Sequence, residues 1–427
     1  MSKVFEANSD FTSSPDQPVL SEVGVIALVP DEWQGVWQLR HQILTRLSQY
    51  FNVVWCNPAP MWHKSGVLRK KSGQEVSSDR FDSSGFTGYH PERWLPTFGR
   101  PRVLAHWTMR ERLRRAQRVL RNRGCRKIIL YLWRPGFASA LDLIDHDLSC
   151  YHIDDEYTFS TVEIPISEVE RKLLLQSNQV FIHSPALLKK KGGFNPHTTF
   201  VPNGVDYQSY ATPCSEPEEM RAIPRPRVGY VGTIKMQLNL ALLLTLAKQH
   251  PEWSFVFVGP QRNKKETASF LQLLKKLSNV FFLGPKAIET LPAYTQHMDV
   301  CMMCYELNDY TKFIYPLKLH EYLATGRPVI GSPINSLREF ANIITLARTP
   351  TEWSNAIKSS LSPAMNSIDH VNARRQVAQQ YDWKKLVGVI AYTLSSRLGS
   401  SYQERIVEFT HGMPYVPPMT DEIPVVQ

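Results

Sequence analysis

The chain has 427 residues, which is more than one hydrophobic core usually serves, so two domains are expected. Its hydrophobic content of 43% and charged content of 21% are typical of a soluble globular protein, and the sequence has no run of about 18 apolar residues that would predict a membrane-spanning helix. The formal net charge of +10 predicts an acidic partner, which leaves nucleic acid, an anionic lipid surface or a phosphorylated substrate as candidates.

The N-terminal 20 residues are rich in Ser, Asp, Pro and Asn, and they are expected to be disordered. They contain no apolar signal core, so a cytoplasmic location is expected. The six cysteines are scattered and do not resemble a secreted disulfide framework. Cys301 and Cys304 form a Cys-x-x-Cys within an apolar run typical of a buried strand, so we favour core packing over zinc or redox chemistry.

The first half of the chain begins with a strand–helix–strand pattern. The apolar run Val23–Val29 predicts a parallel strand, Gln38–Tyr50 has helical periodicity, and Val53–Cys56 predicts the next strand. Arg40 and His41 follow the loop at the carboxyl end of the first strand, where ligands gather in α/β sheets. We therefore interpret both as acceptor-binding residues.

A long irregular stretch, Pro58–Pro101, contains interspersed aromatic residues, and it predicts either an acceptor-binding lid or a peripheral insertion that packs its own aromatics. After it, nine basic residues lie between positions 110 and 127, while Met109, Leu113, Ala116 and Leu120 recur at helical spacing. This pattern predicts a helix that packs one apolar stripe on the sheet. Its basic face, within residues 109–123, is either simply solvated or contacts an anionic membrane surface.

Acidic residues follow a predicted strand at Ser149–Ile153, in the run Asp154-Asp155-Glu156. Like charges so close together repel and raise one another's pKa values, which is typical of functional sites. We interpret Asp154 and Asp155 as catalytic, and Glu156 with Arg134 as acceptor-binding. Metal binding and capping of the next helix remain as alternatives.

The domain boundary is expected in the proline- and glutamate-rich segment 211–226, which separates a first domain at 21–210 from a second at 227–380. In the second part strands and helices alternate, which predicts a parallel doubly wound sheet. Gly232, Thr233 and Lys235 lie on its first strand-to-helix turn, where a glycine lets the backbone approach a phosphate. The chain has no full G-x-G-x-x-G, so a dinucleotide cofactor is not indicated.

The segment from Tyr315 to Ser332 is the most informative part of the sequence. Pro316 is expected at the first position of a helix, which leaves the amides of Leu317, Lys318 and Leu319 as donors for an anion. Lys318 adds positive charge, and Glu321, three residues later, is placed to accept hydrogen bonds from two hydroxyls. Gly326 is expected to end the helix. A phosphate site beside a diol acceptor suits a nucleoside-diphosphate sugar.

The string from Pro316 to Val329 resembles the donor-site motif of retaining glycosyltransferases of the GT-B fold, specifically those similar to glycosyltransferase family 4. Further matches occur upstream in the family's order and cover most of residues 200–335. They are Val201–Asp206, Val228–Thr233, Trp253–Gly259 and Asn279–Gly284.

This resemblance implies an α/β architecture of two Rossmann-like, doubly wound domains that face a central cleft. It also implies a C-terminal segment, 381–427, whose helix at Trp383–Leu398 returns to the first domain. By resemblance, Lys318 is also catalytic, and the donor would be bound by Gly232, Thr233, Lys235, Thr311, Leu317, Lys318, Leu319 and Glu321.

The implied reaction moves a sugar from a nucleotide-sugar to a lipid-linked or polysaccharide acceptor, with retention, in cell-surface polysaccharide biosynthesis at the inner face of the membrane. It requires no metal or cofactor. Two alternatives are a nucleotide-sugar epimerase of the same fold and a non-catalytic basic protein that binds nucleic acid or membrane. Nucleic acid is not expected as a partner, because aromatic residues are not interleaved with the arginines.

The chain departs from the family pattern at two places. Phe313 occupies the position where many family members have a glutamate that touches the donor sugar, and only Glu306, Asn308, Asp309 and Thr311 lie nearby as polar substitutes. The family's Arg and Lys pair after the glycine turn is reduced to Lys235, with Arg262 and Lys264 on a later loop.

Overall fold

The computed structural model describes residues 17–62, 84–157, 165–262 and 265–414. Predictions for residues 1–16, for residues 63–83 of the stretch Pro58–Pro101, for Lys264 and for the tail beyond residue 414 lie outside these ranges. Within them, no helix is both long enough and apolar enough to cross a bilayer.

The first domain contains a seven-stranded parallel sheet in the order β3-β2-β1-β4-β5-β6-β7. Its elements along the chain are β1 (Leu20–Leu28), α1 (Leu39–Leu47), β2 (Phe51–Cys56), β3 (Phe86–Tyr89), α2 (Arg102–Asn122), β4 (Lys127–Leu132), the 3-10 helix Pro135–Asp142, β5 (Leu148–Ile153), α3 (Glu168–Gln176), β6 (Gln179–Ile182), α4 (Pro185–Lys191) and β7 (Thr198–Phe200).

The second domain contains a six-stranded parallel sheet in the order β10-β9-β8-β11-β12-β13. Its elements are α5 (Tyr207–Ala211), α6 (Glu218–Arg221), β8 (Arg227–Val231), α7 (Leu240–Gln249), β9 (Ser254–Val258), α8 (Lys265–Leu274), β10 (Val280–Gly284), α9 (Leu291–Gln296), β11 (Val300–Met303), α10 (Lys318–Thr325), β12 (Val329–Gly331), α11 (Asn335–Arg338), β13 (Thr345–Leu346), α12 (Pro350–Ser360) and α13 (Ile368–Gln380).

The central strands are buried along their whole length, which explains their continuous apolar sequences. In the first domain one apolar cluster lies on each face of the sheet, as in a doubly wound fold. In both sheets the strand order reverses between two neighbouring strands, β1 and β4 in the first and β8 and β11 in the second. Crevices at such points bind ligands in open α/β sheets, so the fold places two ligand-binding edges opposite one another.

The C-terminal helices return to the first domain. Helix α14 (Trp383–Leu398) begins after Asp382, whose side chain accepts from the Lys384 amide, and it is followed by α15 (Ser400–Phe409). Trp383 and Ile390 belong to the same apolar cluster as strand β1 and helix α1. The GT-B architecture expected from the sequence is therefore confirmed, including the returning helix.

Several elements differ from the expectation. The stretch Pro58–Pro101 contains β3, a four-residue edge strand that its glycine-rich surroundings conceal. The helix expected from residue 109 begins earlier, at Arg102, directly after Pro101. Between β4 and β5 the chain forms a 3-10 helix, Pro135–Asp142. The proline-rich segment 211–226 contains the short helix α6.

Both residues of the Cys-x-x-Cys are buried free thiols in the core of the second domain. Burial raises the pKa of each to about 12, so both are neutral thiols at physiological pH. Nothing at these positions is arranged for redox exchange.

Candidate active site

A cavity of about 820 Å³ lies between the two domains. Each side is formed by loops that leave the carboxyl ends of the parallel strands, as the fold requires. The first domain contributes loops after β1, β4, β5 and β6, and the second contributes loops after β8, β9, β10 and β11 together with the start of α10.

Lys318 and Glu321 both line this cavity from the first turn of helix α10. Burial lowers the pKa of Lys318 to about 8, although the nearby Glu321 carboxylate opposes that shift. Burial also raises the pKa of Glu321, while Lys318 and a hydrogen bond from the Tyr210 hydroxyl act in the opposite direction. A partly desolvated cation and a carboxylate thus face the same space, one turn of helix apart.

The helix start differs in detail from the expectation. Helix α10 begins at Lys318, and the Leu319 amide donates a 3.2 Å hydrogen bond to the Pro316 carbonyl. Because a tight turn precedes the helix, this amide is already used and is not a free donor for an anion. Gly326 ends the helix in the left-handed conformation, with φ of 78°, as expected.

Gly232 lines the cavity directly beside Lys318. Its amide donates a 2.7 Å hydrogen bond to the Val258 carbonyl, so it is part of the backbone pairing with the neighbouring strand. A Cβ at Gly232 would lie 2.1 Å from Cε of Lys318. The missing side chain therefore makes room for the lysine, whose Nζ lies over the Tyr230 ring, 5.2 Å from its centroid. Thr233 and Lys235 line the cavity beside it.

Asp154 is held by a set of strong partners in the first domain. Arg40 bridges it to Asp31, with 2.8 Å to the Asp154 carboxylate and 2.7 Å to that of Asp31. The Tyr157 hydroxyl donates to the same Asp154 carboxylate, and Arg134 lies 4.0 Å away. Burial alone would raise the pKa of Asp154, but the two guanidiniums lower it below its usual value. Asp154 is therefore an ionised anchor for two arginines.

Asp155 lies in a different environment, although it is the next residue. Burial raises its pKa, and the negative charge of Asp154 adds to that effect. Its carboxylate accepts hydrogen bonds from the Tyr310 hydroxyl and from the Glu156 amide. Of the two neighbouring aspartates that line the cavity, Asp155 is the one with the raised pKa.

His183 also lines the cavity and was not identified from the sequence. It directly follows β6, and its Nδ1 lies 3.0 Å from the Ile153 carbonyl oxygen. Because a carbonyl can only accept, the proton lies on Nδ1, and Nε2 is left as an acceptor. Burial lowers the pKa of this imidazole, so it is neutral at physiological pH. Its position at the carboxyl end of a strand is the signal that identifies it.

Within the described part of the chain, four of the predicted site residues lie outside the cavity lining: His41, Glu156, Thr311 and Leu319. His41 is fully buried, and burial lowers its pKa to about 4. Glu156 forms ion pairs with Lys190 and Lys191. The Thr311 hydroxyl donates to the Glu306 carbonyl at 2.6 Å. The other predicted residues, Arg40, Arg134, Asp154, Asp155, Gly232, Thr233, Lys235, Leu317, Lys318 and Glu321, line the cavity together.

Comparisons with known proteins agree with the fold described above. Residues 225–362 match the family model described as Glycosyl transferases group 1. A structure of a glycosyltransferase from Rickettsia africae aligns with a TM-score of 0.61 at 12% identity, over 90% of this chain and 99% of that one. A UDP-forming alpha,alpha-trehalose-phosphate synthase from Burkholderia xenovorans aligns with a TM-score of 0.56 at 13% identity, over 89% of this chain and all of that one.

The chain has the GT-B glycosyltransferase fold. Among curated proteins it is similar to the putative teichuronic acid biosynthesis glycosyltransferase TuaH of Bacillus subtilis (strain 168), with 28% identity over 235 residues. That match spans 52% of this chain and 57% of the relative.

Phe313 occupies the position where the sequence resemblance implies a glutamate. Phe313 is 4% exposed and packs in an apolar cluster of the first domain, although it belongs to the second. The ammonium groups of Lys190 and Lys312 lie 5.2 and 5.0 Å from its ring centroid. The side chain thus joins the two domains at the edge of the cleft. Among the nearby polar residues, Asp309 is largely exposed, and Asn308 accepts hydrogen bonds from the amides of its own turn.

Among the described residues, no group of three or more His, Cys, Asp or Glu side chains is arranged to hold a metal ion. The structure therefore gives no support to the alternative in which the acidic run after β5 binds a metal ion. Asp154 and Glu156 both have basic partners instead.

Proposed function

We propose that this chain transfers a sugar from a nucleoside-diphosphate sugar to a lipid-linked or polysaccharide acceptor. The observation that carries this proposal is the placement of Lys318 and Glu321, on one helix start, in a cavity between two Rossmann-like domains. The family match of residues 225–362 and the GT-B fold support the same assignment.

On the donor side, Glu321 accepts hydrogen bonds from the ribose hydroxyls, and Lys318 binds the diphosphate. Cleavage of a glycosyl–phosphate bond leaves negative charge on the departing phosphate, and preorganised positive groups aimed at that charge are usually the largest catalytic contribution. The side chain of Lys318 is already held between Gly232 and Tyr230, so it needs little reorganisation to act. Lys235 and Arg262 line the same cavity and extend the positive field.

On the acceptor side, Asp155 and Arg134 face the cavity from the first domain. The raised pKa of Asp155 suits a carboxylate that accepts a proton from an acceptor hydroxyl, because its proton affinity is higher than that of an ordinary aspartate. Asp154 holds the two arginines and supports this arrangement. Retention of configuration is part of the proposal and is supported by the family resemblance. No metal is assigned a role.

The setting proposed is cell-surface polysaccharide biosynthesis, at the inner face of the membrane. The support is the similarity to a protein named for teichuronic acid biosynthesis, together with the basic face of helix α2. Arginines on that face, within residues 109–123, would contact anionic lipids.

The proposal is tested by thermal unfolding with a panel of nucleoside diphosphates. We expect at least one of them to raise the melting temperature, and Glu321→Ala to abolish that shift. A matched control is Glu339→Ala, since Glu339 is also a half-buried glutamate of the second domain but does not line the cavity. If a nucleoside diphosphate still raised the melting temperature of Glu321→Ala, the donor site would not lie at the start of helix α10.

The donor sugar is identified by following hydrolysis of a panel of nucleotide-sugars in the absence of acceptor. NMR of the products of the full reaction then gives the anomeric configuration of the new bond, which shows whether the configuration of the donor sugar is retained or inverted. Release of a free epimer without any acceptor would replace the transferase assignment with the epimerase alternative.

A further inference from the structure

The exposed surface of the first domain has an unusual apolar patch beside the cleft. Trp62, Trp94, Val103, Leu104 and Trp107, here called the aromatic patch, are 54%, 57%, 77%, 41% and 48% exposed. Trp62 stacks on Phe98, and Trp94 lies against Trp107, with ring centroids 6.5 Å apart in both pairs. Groups of exposed large apolar side chains on a soluble protein usually mark an interaction site.

The aromatic patch is built on ordered structure. The Thr97 amide donates a 2.8 Å hydrogen bond to the Pro60 carbonyl, and the Trp62 amide donates to the Thr97 carbonyl at 3.0 Å. Arg112 donates to the Leu95 carbonyl and to the Thr97 hydroxyl, each at 3.2 Å. The segments that carry the tryptophans are therefore fixed to one another and to helix α2, and the aromatic side chains are held outward.

The patch lies at the same edge of the sheet as the cleft. Its segments follow the carboxyl ends of β2 and β3, and α2 starts there before it runs back along the sheet. Asn57 provides a direct link, because it accepts from the Trp33 amide at 2.7 Å and donates to the Tyr89 carbonyl at 3.1 Å. Trp33 itself lines the cavity.

Positive charge surrounds and extends the patch. Val103 and Trp107 share one exposed face of helix α2 with Arg110, Arg114 and Arg118, at helical spacing. Three more exposed arginines flank the patch, namely Arg93, Arg100 and Arg102. In the described part of residues 90–118 the acidic side chains are Glu92 and Glu111, and both already pair with arginines.

We propose that the aromatic patch inserts into the interface of an anionic lipid bilayer while the arginine face of α2 contacts its headgroups. Tryptophan rings prefer the boundary between headgroups and acyl chains, and each nearby arginine adds attraction to anionic lipid. Because the arginines around the aromatic patch are positively charged, we assign an anionic lipid surface as its partner. Because the patch lies beside the cleft, a membrane bound there would bring a lipid-linked acceptor close to the cavity. This last step rests on the proposed function.

The experiment uses the full chain and vesicles of phosphatidylglycerol and phosphatidylcholine in equal parts, compared with phosphatidylcholine alone. We expect sedimentation with the mixed vesicles and not with the neutral ones, and quenching of tryptophan fluorescence by brominated acyl chains. The double variant Trp94→Ser with Trp107→Ser should weaken the apparent affinity roughly tenfold or more.

Two further variants make the outcome specific. The double variant Val169→Ser with Leu175→Ser removes two side chains of α3 that are 53% and 57% exposed, and it should bind vesicles like the parent chain. Arg110→Glu with Arg114→Glu should also release the protein from mixed vesicles, because charge reversal opposes the anionic surface.

Vesicle binding that is unchanged in the Trp94→Ser with Trp107→Ser variant would overturn the proposal. So would a parent chain that is dimeric in solution and becomes monomeric in that variant, because the patch would then be an interface between copies. Nucleoside-diphosphate stabilisation is measured in parallel on the same variants, since the patch does not line the cavity. If the parent chain binds vesicles but no nucleoside diphosphate, the proposed transferase function is refuted and the membrane-binding proposal is kept. If it binds a nucleoside diphosphate but no vesicles, only the membrane-binding proposal is refuted.

Discussion

The Tyr310 hydroxyl donates a 3.0 Å hydrogen bond to Oδ1 of Asp155, and the two residues belong to different domains. Phe313, three residues after Tyr310, packs in the apolar cluster of the first domain. The loop after β11 thus contacts the first domain through both polar and apolar groups, and Asn203 adds a hydrogen bond to the Tyr315 carbonyl at 2.6 Å. Because Asp155 also lines the cavity, the contact between the two domains involves a carboxylate of the candidate site.

We expect Tyr310→Phe to weaken the contact between the two domains without unfolding either of them. It removes one hydrogen bond to a carboxylate, which costs that contact about 1–2 kcal/mol. Small-angle X-ray scattering should show a larger radius of gyration for the variant without ligand. Tyr402→Phe is the control, because Tyr402 packs on the first domain far along the chain from the cleft loops. An unchanged radius in Tyr310→Phe would show that the hydrogen bond does not hold the domains together.

Gly232→Ala is expected to abolish nucleoside-diphosphate binding while the protein stays folded. The new Cβ would lie 2.1 Å from Cε and 2.5 Å from Nζ of Lys318, so the ammonium must leave its place over Tyr230. Isothermal titration calorimetry measures the loss, and circular dichroism checks the fold.

The matched control for that variant is Gly284→Ala. Gly284 also has a positive φ, of 71°, and ends a strand of the same sheet, but a Cβ there meets nothing within 4 Å. Alanine at Gly284 also carries a backbone cost, although a smaller one than at Gly232, whose φ is 144°, and it lacks the collision with Lys318. Equal loss of binding in both variants would mean that backbone strain, and not displacement of the lysine, is responsible.

The affinity for a nucleoside diphosphate should depend on pH through Lys318. Burial lowers its pKa to about 8 in the free protein, so the ammonium is present below that pH and is lost as the pH rises through it. Phosphate binding requires the charged form, so the contribution of Lys318 to the affinity should change little from pH 6 to 7 and fall above pH 8, by up to about tenfold per pH unit. Calorimetric titrations between pH 6 and 9 measure this. Lys318→Met should bind weakly and without that dependence, and an identical fall in this variant would assign the titration to another group.

The sequence was sufficient for the elements with strong local signals. Helix α14 has the predicted bounds, Trp383–Leu398, because Asp382 caps its start and Gly399 follows its end. The burial of Cys301 and the left-handed Gly326 also follow from local patterns, namely an apolar strand and a glycine after a helix. Such features depend on residues within one or two turns.

Contacts between distant loops were not predictable in the same way. Tyr310 and Asp155 are 155 residues apart, and Tyr210 and Glu321 meet only because α5 packs against α10. Likewise, the sequence does not reveal that the side chain of Lys318 lies against Gly232 in the folded chain. These relationships depend on strand order and on how the domains face one another, and local periodicity carries no information about either.

Lys191→Met is expected to be strongly destabilising, because it breaks a buried charge network beneath the loop that carries Asp155. Lys191 is fully buried and lies 3.0 Å from Glu156 and 2.7 Å from Glu170. Removing one member of a buried ion network leaves uncompensated charge, which costs about 3–5 kcal/mol in the free energy of unfolding. Urea unfolding followed by circular dichroism measures the change. Lys189→Met, on the exposed side of the same helix α4, should differ from the parent by less than about 0.5 kcal/mol. If the two variants were equally stable, the ion pairs of Lys191 with Glu156 and Glu170 would not contribute to the stability of the fold.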